Sequence, residues 1–254
     1  MILEDFCLDG KNALVTGSSR GLGAAIAIAL AEAGANVACH GRTQESRATS
    51  DAIRQLGRKS VHLAGDISQH EIQSHLISRT VDEFGSIDIL VNNAGVIRRA
   101  PAAEFPLDYW DEIIATNLSA VFRVAQLAAQ NMLKRSAKGK IVNVASLLSF
   151  QGGILVPAYA AAKGGVAQLT KALANEWAGK GINVNAIAPG YMATDNTAAL
   201  RNDPVRSRQI LDRIPAGRWG EGKDIAGAAV FLCSGASDYV SGHILAVDGG
   251  WLGR

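Results

Sequence analysis

An alternation constrains this 254-residue chain more than any other feature: short runs of β-branched and aliphatic residues are separated by longer alanine-rich stretches. Seven such runs lie near residues 11–16, 35–40, 59–65, 87–92, 139–146, 182–188 and 243–247, and stretches such as Ala24 to Ala33 and Ala158 to Ala178 have the composition and length of helices. Strand, helix, strand in repeated order builds βαβ units, whose crossovers leave the strands parallel in one sheet and the helices on both of its faces. The expectation is an α/β fold: a single domain over residues 1–254, with a doubly wound sheet of seven parallel strands. No proline- or serine-rich linker divides the chain. The alternation fails over 190–222, where prolines, glycines and charges intervene, and an irregular segment inside a compact fold reads as a substrate lid.

The first run, Lys11 to Thr16, empties into Thr16-Gly-Ser-Ser-Arg-Gly-Leu-Gly23 and then into a helical stretch. Glycines there let backbone N–H groups approach a pyrophosphate closely, and the helix dipole favours its charge, which makes the expected sheet Rossmann-type. The spacing is GxxxGxG at Gly17, Gly21 and Gly23 rather than GxGxxG, and a tight turn alone also explains such a cluster. Gly17-Ser-Ser-Arg-Gly21 fits the GxSxG nucleophile elbow of serine hydrolases as well. That reading fails on order, since the elbow follows several strands with an acid and a histidine after it, and the only distal histidine is His243. His70-Glu-Ile-Gln-Ser-His75 has one residue too many for HExxH, so a solvated helix is expected there and no metal site.

Tyr159-Ala-Ala-Ala-Lys163 points to chemistry. In a helix, residues four apart share a face, so the Tyr159 hydroxyl and the Lys163 ammonium meet. A free tyrosine has a pKa of about 10, and a cation beside it lowers that value toward the working range. Tyr159 can then pass a proton to or from the oxygen of a carbonyl/alcohol pair. Ser146 ends the run Lys140 to Ser146, where a strand opening into a cleft offers its hydroxyl to the same oxygen. The net charge of +2 supplies no field for nucleic acid or a membrane surface. Three cysteines, Cys7, Cys39 and Cys233, lack CxxC spacing, and a reducing compartment fits them. The N-terminus resembles no signal peptide and no run of about 18 apolar residues occurs, so a cytoplasmic protein is expected.

Taken in sequence, these motifs resemble a short-chain dehydrogenase/reductase over the whole chain: the glycine turn, Asn92-Asn-Ala-Gly95 after the fourth strand, Asn117 on a long helix, Ser146, Tyr159, Lys163, and Pro189-Gly190 after the sixth strand. The resemblance implies that Ser146, Tyr159, Lys163 and Asn117 are catalytic, with Asn117 helping to hold a water in a proton relay behind Lys163. It implies cofactor contacts at Gly17, Ser19, Arg20, Gly21, Leu22 and Gly23, and at Asp66 and Ile67 beside adenine. It implies further cofactor contacts at Asn93, Ala94, Gly95, Tyr159, Pro189 and Gly190, at Lys163 to the nicotinamide ribose hydroxyls, and at Thr194 to the nicotinamide carboxamide. Asn92 and Asn117 can equally cap or pin backbone, and Asp66 and Thr194 can be ordinary turn residues.

NAD is commonly held by an acid about 20 residues past the glycine turn, bonded to the ribose 2′-hydroxyl. Asn36-Val-Ala-Cys-His-Gly-Arg42 has none, and Arg20 with Arg42 can clamp a 2′-phosphate, so NADP(H) is favoured over NAD(H). Segments at 92–99, 149–153, 174–177, 189–194, 212–219 and 247–251 are similar to family members that interconvert 3-deoxy sugar acids in uronate catabolism, although the Gly41-Arg42 pair departs from them. Neighbouring sugar acids are the alternative substrates. A small hydroxylated carboxylate needs a cation and hydrogen-bonding groups, for which Arg98, Arg99, Ser146, Gln151, Arg218 and Trp219 are the candidates. A non-catalytic, dinucleotide-binding assembly protein is the alternative of another class, with the intact Ser-Tyr-Lys set against it. The resemblance also implies a homotetramer, in which the helices carrying Asn117 and Tyr159 pair between subunits and the tail Trp251 to Arg254 reaches a neighbour.

Overall fold

The apolar runs become strands because both of their faces are covered. In a computed structural model, which describes residues 1–44 and 47–254, they form β1 (Asn12–Val15), β2 (Asn36–Gly41), β3 (Ser60–Ala64), β4 (Ile89–Asn92), β5 (Gly139–Val144), β6 (Ile182–Pro189) and β7 (Ile244–Val247). Every residue of β1, β4 and β5 is buried, the mark of parallel strands sandwiched between helices. The strands pair in parallel in the order β3-β2-β1-β4-β5-β6-β7, with Leu14 opposite Ala38 on one side and Leu90 on the other. Strand order reverses between β1 and β4, and such a switch point opens a crevice at the carboxyl ends of the two strands.

The helices are α1 (Gly21–Glu32), α2 (Ala48–Gln55), α3 (His70–Phe84), α4 (Leu107–Ile114), α5 (Ala120–Lys134), α6 (Pro157–Trp177), α7 (Ala198–Asn202), α8 (Pro204–Leu211) and α9 (Gly222–Cys233). One core joins Ala13 and Val15 to Ile26 and Leu30 of α1, Ile53 of α2 and Ile225 and Leu232 of α9. The other joins Leu14 to Leu76 of α3, Val124 and Ala128 of α5 and Leu173 and Trp177 of α6. Alternate residues of β1 thus face different helical layers, as the period of two requires. Proline at the first position of α6 sets the helical φ where no N–H is needed. Its buried stripe, Ala158, Ala162, Val166, Thr170 and Leu173, follows the helical repeat, so alanines let the helix lie close on the sheet.

Segment 190–222 is more ordered than its composition suggests. It carries a short turn (Asp195–Thr197), α7 and α8. Asp203 caps α8, its carboxylate accepting from the N–H groups of Val205 and Arg206, and Pro204 follows at the first helical position. An Asp-Pro pair is a helix-start signal, and it was outweighed in the sequence by the surrounding prolines and charges. The two ends of the segment are pinned together where Gly220 N–H donates to the Tyr191 carbonyl and Ala193 N–H to the Gly220 carbonyl. Among the described residues, no helix is long and apolar enough to cross a membrane.

Candidate active site

The crevice at the switch point is a cleft of about 390 Å³, bordered by the glycine turn at one end and by Ser146, Tyr159 and Lys163 at the other. Its nucleotide end is built from backbone. Asn93, just past β4, donates from Nδ2 to the carbonyls of Thr16 and Gly17, and Thr16 Oγ1 accepts the N–H groups of Asn93 and Ala94. A Cβ at Gly23 would stand 2.3 Å from the Gly17 carbonyl oxygen and 2.4 Å from Asn93 Nδ2, so the turn closes only around glycine. Gly21 has φ +58°, and a Cβ there would meet nothing nearer than Thr194 Cγ2 at 3.9 Å. Helix α1 begins beside it with no side-chain cap and no acid in its first turn. Its first N–H groups therefore face open cleft, which suits a diphosphate.

Ser19, Arg20, Leu22, Arg42, Asp66 and Ile67 border this nucleotide end, and Ala94, Gly95, Pro189, Gly190 and Thr194 border the inner part. Burial pushes the Asp66 carboxyl up, but the Ser68 N–H and hydroxyl and the Arg42 guanidinium outweigh it and hold the group below its ordinary range. Both arginines expected to clamp a 2′-phosphate have acid partners: Arg42 lies 2.9 Å from Asp66 and Arg20 3.3 Å from Asp195. All four side chains are substantially exposed, so neither pair is held strongly against a competing dianion.

At the other end, Ser146 leaves β5 in extended geometry and its Oγ accepts from Leu148 N–H. Tyr159 lies in the first turn of α6, with Lys163 one turn further along the same face. Lys163 is buried, its Nζ donating to the Val144 carbonyl at 2.6 Å, and Ser149 Oγ donates to the Lys163 carbonyl. The expected lowering of the tyrosine pKa by the lysine does not occur in this geometry. Lys163 Nζ lies over the ring, 5.7 Å from its centroid, and is turned toward Val144. Burial raises the Tyr159 pKa, with a hydrogen bond to Ser146 and the charge of Arg99 pulling the other way. Burial instead lowers Lys163, to about 8, which makes the lysine the group poised near neutral pH.

Asn117 sits in a π-helical turn (Ala115–Ser119) joining α4 to α5, so the expected long helix is interrupted at this residue. Its amide donates to the Val96 carbonyl at 2.8 Å and accepts from Val96 N–H at 2.9 Å. With one amide hydrogen and one lone pair engaged, the side chain pins the loop after β4. Asn92 likewise bonds Val121 and Asn143 inside the core.

The substrate candidates other than Ser146 lie outside the cleft lining. Arg98 forms a fork with Glu112 and lies over the Tyr109 ring, and Arg218 forms one with Asp224, so each guanidinium is engaged with a carboxylate. Trp219 meets Tyr191 edge-on, and Gln151 Oε1 accepts from Trp251 Nε1 at 3.4 Å. Arg99 differs: it makes no ion pair among the described residues, donates to the Asn196 carbonyl and acts on Tyr159 through its charge. Trp251, expected to reach a neighbouring subunit, is 4% exposed among Leu147, Ile210 and Ile214 of its own chain, with Arg213 over its ring. Sequence reasoning passed over His40, at the end of β2, which borders the cleft and bonds Gly17. A histidine in an otherwise apolar strand just before the cofactor loop was the available signal.

A family model described as enoyl-(acyl carrier protein) reductase matches residues 17–252. The chain is 52% identical to 2-dehydro-3-deoxy-D-gluconate 5-dehydrogenase of Dickeya dadantii over 254 residues, covering 100% of both chains. A crystal structure from Agrobacterium tumefaciens, provisionally named 2-deoxy-D-gluconate 3-dehydrogenase and holding NADP, shares 56% identity at a TM-score of 0.92, with 98% of this chain and 99% of that one covered. A gluconate 5-dehydrogenase from Burkholderia cenocepacia in complex with NADP and tartrate shares 43% identity at a TM-score of 0.95, with 100% of both chains covered.

Proposed function

The chain belongs to the short-chain dehydrogenase/reductase family, and from that premise we propose that it is an NADP(H)-dependent oxidoreductase of small sugar acids, acting first on the 5-hydroxyl of 2-dehydro-3-deoxy-D-gluconate. What carries the reading is the single cleft that joins an uncapped helix N-terminus, suited to a diphosphate, to a serine, a tyrosine and a lysine whose pKa burial lowers to about 8. The reduced nicotinamide, when bound, supplies the hydride to the carbonyl carbon. Tyr159 Oη gives its proton to the carbonyl oxygen as the C=O double bond becomes a C–O single bond, and Ser146 Oγ holds that oxygen by donating to it. Lys163, cationic below a pH of about 8, restores the tyrosine proton, and the same groups run in reverse for oxidation. Asn117 acts on this set by fixing the Val96 loop.

Arg20 and Arg42 favour NADP(H), NAD(H) being the second cofactor. Arg99, free of a carboxylate partner among the described residues, takes the substrate carboxylate, and segment 190–222 closes over it. The exposed side chains Leu107, Trp110 and Phe122 on α4 and α5 are those a homotetramer would cover. Cytoplasmic location belongs to the same reading. Gluconate 5-dehydrogenase activity is the second reading, supported by the full-length similarity to the NADP- and tartrate-bound enzyme.

The test is loss of reduced-nicotinamide absorbance by purified protein with 2,5-diketo-3-deoxygluconate, 5-ketogluconate and the unsaturated-uronate keto acid, each with NADPH and NADH. Turnover of the first with NADPH as the better cofactor is expected. Turnover of the others alone discards the substrate and keeps the oxidoreductase, whereas no turnover by an intact, cofactor-binding protein favours the non-catalytic assembly reading.

A further inference from the structure

His40 has a side chain with two faces, each committed to a different wall of the nucleotide end of the cleft. Nδ1 lies 3.1 Å from the amide nitrogen of Gly17, and Nε2 lies 3.1 Å from the carbonyl oxygen of Gly65. The backbone holds the residue in register as well, since His40 N–H donates to Ser18 Oγ and Ser18 N–H to the His40 carbonyl. The ring is 3% exposed. A backbone N–H can only donate and a carbonyl can only accept, so the neutral imidazole with its proton on Nε2 satisfies both walls at once. A proton on Nδ1 would turn that nitrogen from acceptor to donor and set it against the Gly17 N–H.

We propose that His40 is a positioning residue for NADP(H): its neutral imidazole braces the glycine turn against the Gly65–Asp66 loop, and protonation releases that brace and weakens cofactor binding. The inference rests on the dinucleotide reading of the cleft. The turn it braces carries the first N–H groups of α1, and the loop it braces ends at Asp66, which holds Arg42. Loss of one strut therefore loosens the seats of the diphosphate and of the ribose 2′-phosphate together.

Burial lowers the His40 pKa below the ordinary histidine value of 6.5, aided by the charge of His62 on β3; the Gly65 carbonyl and Asp66 oppose it. Arg42, two residues further along the chain, and Arg20 on the turn border the same cleft, and each is paired with an acid. The sign follows: the brace is complete above about pH 6.5 and is lost as pH falls through the lowered value, because the unfolded or opened chain takes up the proton more readily.

The experiment is a fluorescence titration of NADPH and NADH against purified protein from about pH 8 down to the lowest pH at which the protein stays folded, with hydrogen exchange at the Gly17 amide followed in the unliganded protein. Wild-type Kd is expected to weaken about tenfold for both cofactors once pH has fallen through the lowered His40 value, as a lost acceptor leaves a buried N–H unpaired. His40→Asn, whose amide oxygen can accept from Gly17 and does not titrate, is expected to keep a nearly flat NADH profile. NADH serves because it lacks the titrating 2′-phosphate. Protection of the Gly17 amide, corrected for intrinsic rates, should fall in wild type over the same interval. Should the asparagine variant fold poorly, His40→Gln and the wild-type exchange data decide alone. Parallel NADH profiles in wild type and variant, or Gly17 protection that ignores pH, would overturn the brace while leaving the cofactor reading intact. Absence of NADPH and NADH binding at pH 8 would overturn both.

Discussion

At the glycine turn almost every polar partner is a backbone group: Asn93 bonds the carbonyls of Thr16 and Gly17, and His40 bonds Gly17 and Gly65. Around the opposite mouth side-chain partners prevail, with Arg98 facing Glu112, Arg218 facing Asp224 and Gln151 facing Trp251, while Arg99 reaches the Asn196 carbonyl. Backbone positions follow from the strands and are shared by any sequence that makes them. Side-chain partners are chosen residue by residue. The difference teaches that the nucleotide half is fixed by the fold, and that the substrate half is specified by which charged groups are already engaged.

The largest effect should come where the halves meet. Tyr159→Phe keeps the ring but removes the only proton it can pass, so kcat should fall by about 10²–10⁴ with cofactor Kd unchanged. Stopped-assay rates beside a fluorescence titration check this, and a variant retaining a tenth of the parent kcat would remove Tyr159 from the chemistry. Gly23→Ala tests the nucleotide half alone. Its new methyl group must displace the Gly17 carbonyl or the Asn93 amide, and strain of that kind should weaken NADP(H) binding by about 10²-fold with little change in substrate KM measured at saturating cofactor. An unaltered Kd would mean the turn gives way freely and is not the rigid element described above.

The substrate half is probed by its arginines. Arg99→Ala should raise KM for the sugar acid by about 10- to 100-fold, the loss of a charge-assisted contact. Arg98→Ala and Arg218→Ala should move it less than about threefold, because each removes an exposed ion pair and no substrate partner. Equal effects at Arg98 and Arg99 would show that the Glu112 pair opens on binding and would dissolve the contrast between engaged and free groups.

The fold was legible because its signals are local and repeated. β-branched runs in β1, β4 and β5 and alanine stripes in α1 and α6 mark elements that must be buried on known faces. Ser146, Tyr159 and Lys163 were legible as a set because strand end and helix spacing determine where they point. The engagement of Arg98 was not, since Glu112 lies fourteen residues away on a helix whose rotation the sequence leaves open. Nor was the brace at His40, which depends on two backbone groups from loops distant in the chain. The proton balance also escaped, because spacing places Lys163 near Tyr159 but burial decides which of the two pKa values falls.

Lys163 therefore gives the comparison a pH axis. With its pKa at about 8, it is mostly charged at pH 7 and mostly neutral at pH 9, a change of about tenfold in either form. In the mechanism proposed above, the charged form feeds the proton that reduction consumes, and the neutral form accepts the proton that oxidation releases. Reductive kcat should decline and oxidative kcat should rise across that interval, each by up to about tenfold, in initial rates at saturating substrate and cofactor. Profiles that rise or fall together would place the titrating group elsewhere.

The smallest expected effect lies at the nucleotide mouth, the one place where the backbone-built half borrows side-chain charge. Arg42 and Arg20 are exposed and already paired with Asp66 and Asp195, so a 2′-phosphate must draw them from those acids. Its nearly double charge wins that competition, but the gain is the difference between two ion pairs in water and not the whole of one. Arg42→Ala should lower the ratio of kcat/KM for NADPH over NADH by about three- to tenfold, and Arg20→Ala by less, since Asp195 belongs to the segment proposed to close over the substrate. Asp66→Asn releases Arg42 and should shift the ratio the other way. A wild-type ratio already favouring NADH would overturn the assignment of both arginines, and it would leave the nucleotide half defined by backbone alone.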